Sequence, residues 1–278
     1  MEKETAPSLL ISFVFLKEFL EAREKYHYRD WALDSGAFSA WTRGIIIDLD
    51  EYIELCKELL ETEPNLTEVF ALDVIDDYKQ TLKNTEKMLD AGVNAIPTYH
   101  FGEPEKHLKD LAKHFDKIAI GGVARKKGKI KDDFARACFS RVWPKKIHGF
   151  GYGSETHIMK YPFHSTDATN WELGPCGFGR WNAFGNMSVR GSNQNLRAEV
   201  EYYLKLERQA RSRFKKEMAL LEELEPITHP KLRLALATNE SSVKTRCSRA
   251  LNNPKVRLAV LPTGQEVKAL AKKKGAKK

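Results

Sequence analysis

The sequence has no closely spaced cysteines. It holds four cysteines in 278 residues, and no two of them lie within three positions of each other: Cys56, Cys138, Cys176 and Cys247. This excludes the Cys-x-Cys and Cys-x-x-Cys pairs of zinc knuckles, so no metal site is expected. We interpret the four as buried or half-buried thiols of a reducing cytosol.

Long apolar runs are also missing. No hydrophobic stretch approaches the roughly 20 residues that a bilayer-spanning helix needs, so no membrane contact is expected. The first ten residues, MEKETAPSLL, carry acids and lack the apolar core of a signal peptide. We expect a cytoplasmic protein.

Acidic residues are outnumbered by basic ones. Lys and Arg total 46 against 38 Asp and Glu, which gives a formal net charge of +8. This charge favours a polyanionic partner, nucleic acid first, although many proteins without such a partner share it. The hydrophobic fraction of 42% and aromatic fraction of 10% are typical of a globular protein.

Strand-like and helix-like segments alternate through much of the chain. Residues 48–61 form a predicted helix, because Asp48 suits an N-cap and apolar residues follow at helical spacing. Strand candidates are residues 9–16, 31–34, 69–75, 95–100, 117–124, 146–153 and 163–169, with an eighth near 181–189. Further helices are predicted over about 77–89, from Pro104, and near 131–140. Eight such units predict an α/β fold, a TIM-like (β/α)8 barrel, with an open doubly wound sheet as the rival.

The composition changes after Gly191. Residues 195–225 predict one long charged amphipathic helix, broken once at most, which we assign to the barrel domain of residues 1–225. Residues 226–278 form a C-terminal basic extension that ends in KALAKKKGAKK. This tail is expected to be disordered, either as a solvated end or as an arm that attracts phosphates.

Most strand candidates end in polar residues or glycine. The second ends in Asp34-Ser35-Gly36, the third contains Asp73, and the seventh contains Asp167. In a (β/α)8 barrel these ends open onto one face, where active sites are built. Each residue could instead cap a helix or form a turn, but the recurrence favours a shared pocket.

Four short motifs resemble those of the tRNA-guanine transglycosylase superfamily, in the same order and with similar spacing. DSGAF (34–38) is similar to the family's DSGGF, and GGVA (121–124) is similar to its GGLA turn. HGFGYG (148–153) and HSTDAT (164–169) match its next two segments. DSGAFSAW and STDATNW are closer to the phage and bacterial branch that inserts 7-deazaguanines into DNA.

The resemblance implies an enzyme that exchanges guanine for a modified base. Asp167 matches the nucleophile, since breaking a glycosidic bond builds positive charge that a carboxylate can meet. Asp34 matches the acid/base that manages the proton of the heterocycle. The resemblance implies no metal or redox cofactor.

The remaining matches imply a base-binding pocket. Asp73 matches the acid that accepts hydrogen bonds from the guanine edge, and His100 stands where the family commonly has glutamine. Phe38 and His148 match the two residues that sandwich the base, a contact worth about 1–3 kcal/mol. The other substrate-binding candidates are Ser35, Gly36, Gly121, Gly149 and the backbones of Gly122 and Val123.

Two features depart from the family, and one of them, the missing zinc site, favours DNA or an unusual RNA over tRNA as the substrate. The family's zinc site has no counterpart, and Ala37 replaces the second glycine of DSGGF. RKKGKIK (125–131) follows the GGVA turn, so its charges are expected at the pocket mouth. The nucleic-acid-binding candidates are Arg125, Lys126, Lys127, Lys129, Arg180 and Arg190.

The prediction is therefore a DNA-modifying transglycosylase that uses a preQ0-type 7-deazaguanine. A queuosine-related tRNA enzyme and a non-catalytic nucleic-acid-binding barrel are the alternatives. A homodimer and accessory DNA-processing proteins are the protein partners considered. If the chain is phage-encoded, its compartment is the host cytoplasm.

Overall fold

The structure is a computed structural model that describes residues 6–124, 126–184 and 196–224. These described residues form seven β-strands: β1 (Leu9–Ser12), β2 (Trp31–Asp34), β3 (Leu66–Val69), β4 (Thr98–His100), β5 (Lys117–Gly121), β6 (Lys146–Gly149) and β7 (Ser165–Thr166). Every strand pairing among these residues is parallel, in the orders β1-β2-β3 and β4-β5-β6-β7. An isolated parallel bridge between Phe70 and Ile96 links the two sheets.

Helices follow the strands along the chain. They are α1 (Leu16–Ala22), α2 (Ala37–Arg43), α3 (Leu49–Thr62), α4 (Tyr78–Asp90), α5 (Glu105–His114), α6 (Gly128–Val142), α7 (Glu155–Ile158), α8 (Asn170–Glu172), α9 (Arg197–Arg213) and α10 (Lys215–Glu223). Asp48 caps α3 by accepting from two backbone amides, and Asp77 caps α4. Side-chain acceptors at these positions satisfy amides that have no partner within the helix.

Parallel strands in sequential order with intervening helices are the arrangement of a (β/α)8 barrel. The predicted fold class is confirmed, and the doubly wound alternative is wrong because its strand order would reverse. The predicted eighth strand is not seen in residues 181–184, which form a bend and a turn, and 185–189 lie outside the described residues.

Side chains alternate between two environments along the strands. Ile118, Ile120 and Ile147 belong to an apolar cluster shared with α5 and α6. The intervening Ala119 instead packs with Phe70, in the group that includes Ala32 of β2 and Phe150, which follows β6. Every second residue along a strand therefore faces the barrel interior, and the residues between them face the helices.

Several predicted boundaries shift. The first strand ends at Ser12 because residues 13–15 form a 3₁₀ turn before α1. The third strand lies at Leu66–Val69, earlier than the predicted 69–75, and Asp73 falls in the loop that follows it. The long final helix is broken once, at Phe214. The basic extension beyond 225 lies outside the described residues.

Candidate active site

Three aspartates follow three parallel strands at the same end of the barrel. Asp34 is the last residue of β2, Asp73 lies in the loop after β3, and Asp167 comes directly after β7. The carboxyl ends of barrel strands form one face, which is where barrel enzymes place their catalytic groups.

Burial and neighbouring acids raise the pKa of Asp34. Its pKa rises from 3.8 to about 7, chiefly through burial; the charges of Asp73 and Asp167 add to the rise, and the backbone amide of Gly36 opposes it. That amide donates to Asp34 Oδ2 at 3.2 Å. The charges of both acids act on Asp34, and all three residues lie at the same end of the barrel. At neutral pH the Asp34 carboxyl can therefore either give or accept a proton.

Gly36 is required where it stands. Its φ of +73° lies in the left-handed region, and a Cβ there would come within 2.8 Å of Ser12 Oγ. A side chain at this position would be strained and would push on β1. The glycine thus lets the chain turn sharply enough for its amide to reach Asp34.

Asp73 is held by two donors. Ser35 Oγ donates to Asp73 Oδ1 at 2.8 Å, and His100 Nε2 lies 3.0 Å from Asp73 Oδ2. The other ring nitrogen of His100 lies 2.9 Å from Glu103 Oε1. Burial lowers the pKa of His100, but its bonds to Asp73 and Glu103 outweigh burial and raise it to about 9. His100 is therefore an imidazolium at neutral pH and donates to both carboxylates.

Asp167 is anchored by a backbone amide. The N–H of Gly151 donates to Asp167 Oδ1 at 2.8 Å. Burial raises the pKa of Asp167, while this hydrogen bond and the charge of Lys131 oppose the rise. Lys131 also donates to the carbonyl of Gly151 at 3.3 Å, which ties α6 to the anchoring loop.

His148 occupies a place that differs from the prediction. It is 4% exposed, and its ring packs against Phe70 and Phe150 with centroids 4.8 and 4.5 Å away. A residue that sandwiches a base needs an open ring face, and these contacts occupy the ring of His148 instead. Its Nδ1 lies 2.9 Å from Ser165 Oγ, and its Nε2 lies 4.0 Å from Asp167 Oδ1.

Phe38 keeps the exposure that a stacking role requires. It lies in the first turn of α2, four residues after Asp34, and is 48% exposed. Its ring is 6.2 Å from that of Trp41, which is also exposed. Two exposed aromatic side chains thus stand on the helix that leaves the site.

The predicted glycine-rich backbone lies at the same strand ends. Gly121 and Gly149 are the last residues of β5 and β6. Gly122 is exposed, whereas Val123 is fully buried, backbone included. Ser35 is buried, with its hydroxyl committed to Asp73.

The predicted basic residues are exposed where the structure describes them. Lys126 lies over the ring of Phe101 at 5.4 Å, Lys127 immediately precedes α6, and Lys129 lies in its first turn. Arg180 is exposed after the segment that follows β7. Arg125 and Arg190 lie outside the described residues.

Several site residues were missed by the sequence reasoning. Glu103 supports His100, and its spacing of three residues in HFGE could have indicated the pair. Lys117, which opens the otherwise apolar KIAIG strand, is buried and donates to Glu68 at 2.7 Å and Ser165 at 2.8 Å. A lysine in a buried strand was itself a signal, because such a charge needs partners.

Within the described ranges, no cluster of three or more His, Cys, Asp or Glu side chains is arranged to hold a metal ion. Over the same part of the chain, every helix is too short or too polar to cross a membrane.

Comparison with known proteins gives only distant structural similarity. No protein-family model and no curated protein matches the chain. Similar solved structures include a mutant tryptophan synthase alpha-subunit from the hyperthermophile Pyrococcus furiosus, with 14% identity, a TM-score of 0.39, and coverage of 74% of this chain and 100% of that one. The tryptophan synthase complex of the same organism gives 12% identity, a TM-score of 0.35, and coverage of 77% and 100%. At these scores neither similarity bears on function.

Proposed function

We propose that the protein is a base-exchanging transglycosylase that replaces guanine in DNA with a preQ0-type 7-deazaguanine. The observation that carries the proposal is the pair of Asp34 and Asp167. The Asp34 carboxyl has a pKa of about 7, and the partly buried Asp167 carboxyl is anchored by the Gly151 amide and contributes to that rise. The ordered resemblance of residues 34–38, 121–124, 148–153 and 164–169 supplies the reaction class.

The pair suits the chemistry of a glycosidic bond. Asp167 attacks the anomeric carbon of the sugar as the bond to the base nitrogen breaks, and protonated Asp34 gives its proton to the departing guanine. The deprotonated Asp34 then removes a proton from the incoming base, which displaces Asp167. A pKa near neutrality serves both directions, because the same group must act as acid and then as base.

Asp73 and His100 suit recognition of the base edge. Asp73 is a carboxylate already oriented by Ser35 and His100, and its remaining lone pairs can accept from the N–H groups of guanine. The imidazolium of His100 balances part of the negative charge that three aspartates and Glu103 bring together. The exposed ring of Phe38 supplies a stacking surface worth about 1–3 kcal/mol.

A base within a duplex must leave its stack before it can reach buried carboxyls, at a cost of a few kcal/mol. Phosphate contacts from exposed lysines after β5 would offset that cost. Lys126, Lys127 and Lys129 suit this role through their exposure.

The test is an exchange assay with the full chain. Labelled guanine or preQ0 is offered with duplex DNA or with tRNA, and incorporation is followed for the wild type and Asp167→Asn. Asp133→Asn, which removes an exposed carboxylate on α6, is the matched control. We expect exchange with DNA, abolished by Asp167→Asn and retained by the control. Exchange with tRNA alone would refute the DNA assignment, and binding without exchange to any polynucleotide would refute the enzyme.

A further inference from the structure

A line of polar groups, of which Lys117 and His148 are buried, runs through the barrel interior behind Asp167. Lys117 of β5 donates to Glu68 of β3 and to the hydroxyl of Ser165 on β7. Ser165 is the register partner of His148 on β6, and its Oγ lies 2.9 Å from His148 Nδ1. The line ends at His148 Nε2, which faces Asp167.

This line determines where the proton of His148 resides. A lysine ammonium only donates, so Ser165 Oγ accepts from Lys117 and directs its own hydrogen elsewhere. Among the described contacts, His148 Nδ1 is the other partner of that hydroxyl. Nδ1 therefore accepts, and the hydrogen of the neutral ring lies on Nε2. Burial together with the charge of Lys117 keeps the pKa of His148 well below its ordinary value, so the ring stays neutral.

Nε2 is a donor that the described residues leave without a hydrogen-bond partner. It is buried, and its nearest acidic atom, Asp167 Oδ1, is 4.0 Å away, beyond hydrogen-bond range. A buried unpaired donor is costly, and the free forms of active sites often hold such bonds long until substrate binds. A movement of about 1 Å by the carboxylate would bring the two atoms into hydrogen-bond distance.

We propose that His148 is a positioning residue that, with the amide of Gly151, holds Asp167 Oδ1 and so leaves Oδ2 as the attacking oxygen. This inference rests on the proposed function. As Oδ2 forms its bond to the anomeric carbon, the bond to the base nitrogen breaks, and its electron pair remains on the base, which takes the proton of Asp34. When the incoming base displaces Asp167, the carboxylate charge returns and both donors stabilise it.

The tautomer of His148 can be tested without activity. In ¹⁵N NMR of the labelled full chain, protonated and unprotonated ring nitrogens have distinct shifts, and the His148 signals are assigned by their loss in His148→Gln. We expect hydrogen on Nε2 in the wild type and a changed Nδ1 shift in Ser165→Ala, which removes the hydrogen that Nδ1 accepts. The matched control is Ser154→Ala, which removes a similar contact from Ser154 Oγ to His157 Nδ1 at 2.6 Å. The His148 signals should not change in that control, and hydrogen on Nδ1 in the wild type would overturn the inference.

Exchange kinetics test the donor itself. His148→Phe fills the space between Phe70 and Phe150 without an N–H group, whereas the amide nitrogen of Gln in His148→Gln reproduces a donor near Nε2. We expect kcat to fall about 10²-fold in His148→Phe, with KM within about twofold, and to recover most of the loss in His148→Gln. Wild-type kcat in His148→Phe, or equal losses in two folded variants, would overturn the role. If the wild type exchanges no base, the proposed function and the positioning role fail together, whereas wild-type exchange by His148→Phe overturns the positioning role alone.

Discussion

The raised pKa of Asp34 predicts a specific dependence of stability on pH. In the unfolded chain this carboxyl ionises near 3.8, whereas in the folded protein it stays protonated up to about pH 7. Between these values the folded state holds a proton that unfolding releases, so stability falls as pH rises. The contribution of protonated Asp34 is fully present below 3.8 and is lost as pH rises through about 7. At 1.36 kcal/mol for each tenfold difference in acidity, the loss amounts to about 4 kcal/mol.

Asp34→Asn isolates this effect, because an amide imitates the protonated carboxyl and does not titrate. Urea unfolding followed by tryptophan fluorescence at about pH 4 to pH 8 gives the free energy of unfolding of each protein. We expect the two to be similarly stable near pH 4, and the variant to gain up to about 4 kcal/mol over the wild type by about pH 8. The variant should also lack exchange activity.

Asp133→Asn is the control for unrelated titrations. Asp133 lies on α6 with an exposed side chain paired to Arg136, a contact worth at most about 1 kcal/mol at any pH. Its stability difference from the wild type should stay within that margin. If the stability difference between Asp34→Asn and the wild type is likewise independent of pH, the pKa of Asp34 is not raised by burial and neighbouring acids. The acid/base role would then lose its physical basis.

Three other changes test separate parts of the site. His100→Gln should remove the stability that the His100 imidazolium contributes, which is fully present below about pH 6.5 and lost as pH rises through about 9. In urea titrations, the difference in free energy of unfolding between wild type and variant should therefore shrink by about 3 kcal/mol from about pH 6 to pH 10. A difference that stays constant with pH would argue against the imidazolium. Gly153→Ala should abolish exchange and lower the melting temperature, because the Cβ of the new alanine would lie 2.4 Å from the carbonyl oxygen of Asp167. A variant that is active and as stable as the wild type would contradict this packing. Phe38→Ala should weaken base binding about 5- to 150-fold in equilibrium titration with preQ0, by loss of about 1–3 kcal/mol of stacking. Unchanged affinity would remove Phe38 from the pocket.

Local signals in the sequence predicted much of the barrel. WALD was predicted as a strand at 31–34 and is β2 with the same bounds, because its apolar residues end at an acid and a glycine turn. Asp48 and Asp77 indicated the starts of two helices in the sequence. A capping carboxylate accepts from backbone amides only two or three residues further on, so this contact depends on local sequence alone. The third strand was placed too late, because the apolar run from Val69 to Ile75 continues into a buried loop, and burial alone does not distinguish strand from loop.

The site was predictable in its aspartates but not in its supports. Asp34, Asp73 and Asp167 each lie at or just after a strand, so the barrel rule placed them on one face. The bond from Ser165 to His148 joins residues 17 positions apart, and that from Lys117 to Ser165 joins residues 48 apart. Such pairs depend on strand register and on which side chains face the interior, and neither follows from local spacing.

The electrostatics explain why these acids can share a buried site. Asp34, Asp73 and Asp167 would repel one another if all were ionised, and the site relieves this in two ways. His100 remains charged between Asp73 and Glu103, and Asp34 takes up a proton near neutrality. The second adjustment makes Asp34 an acid, because burial and repulsion from its neighbours are what retain its proton. Under the proposed function, a sugar that gains positive charge as its base departs would reduce that repulsion, which would favour the transition state over the neutral substrate.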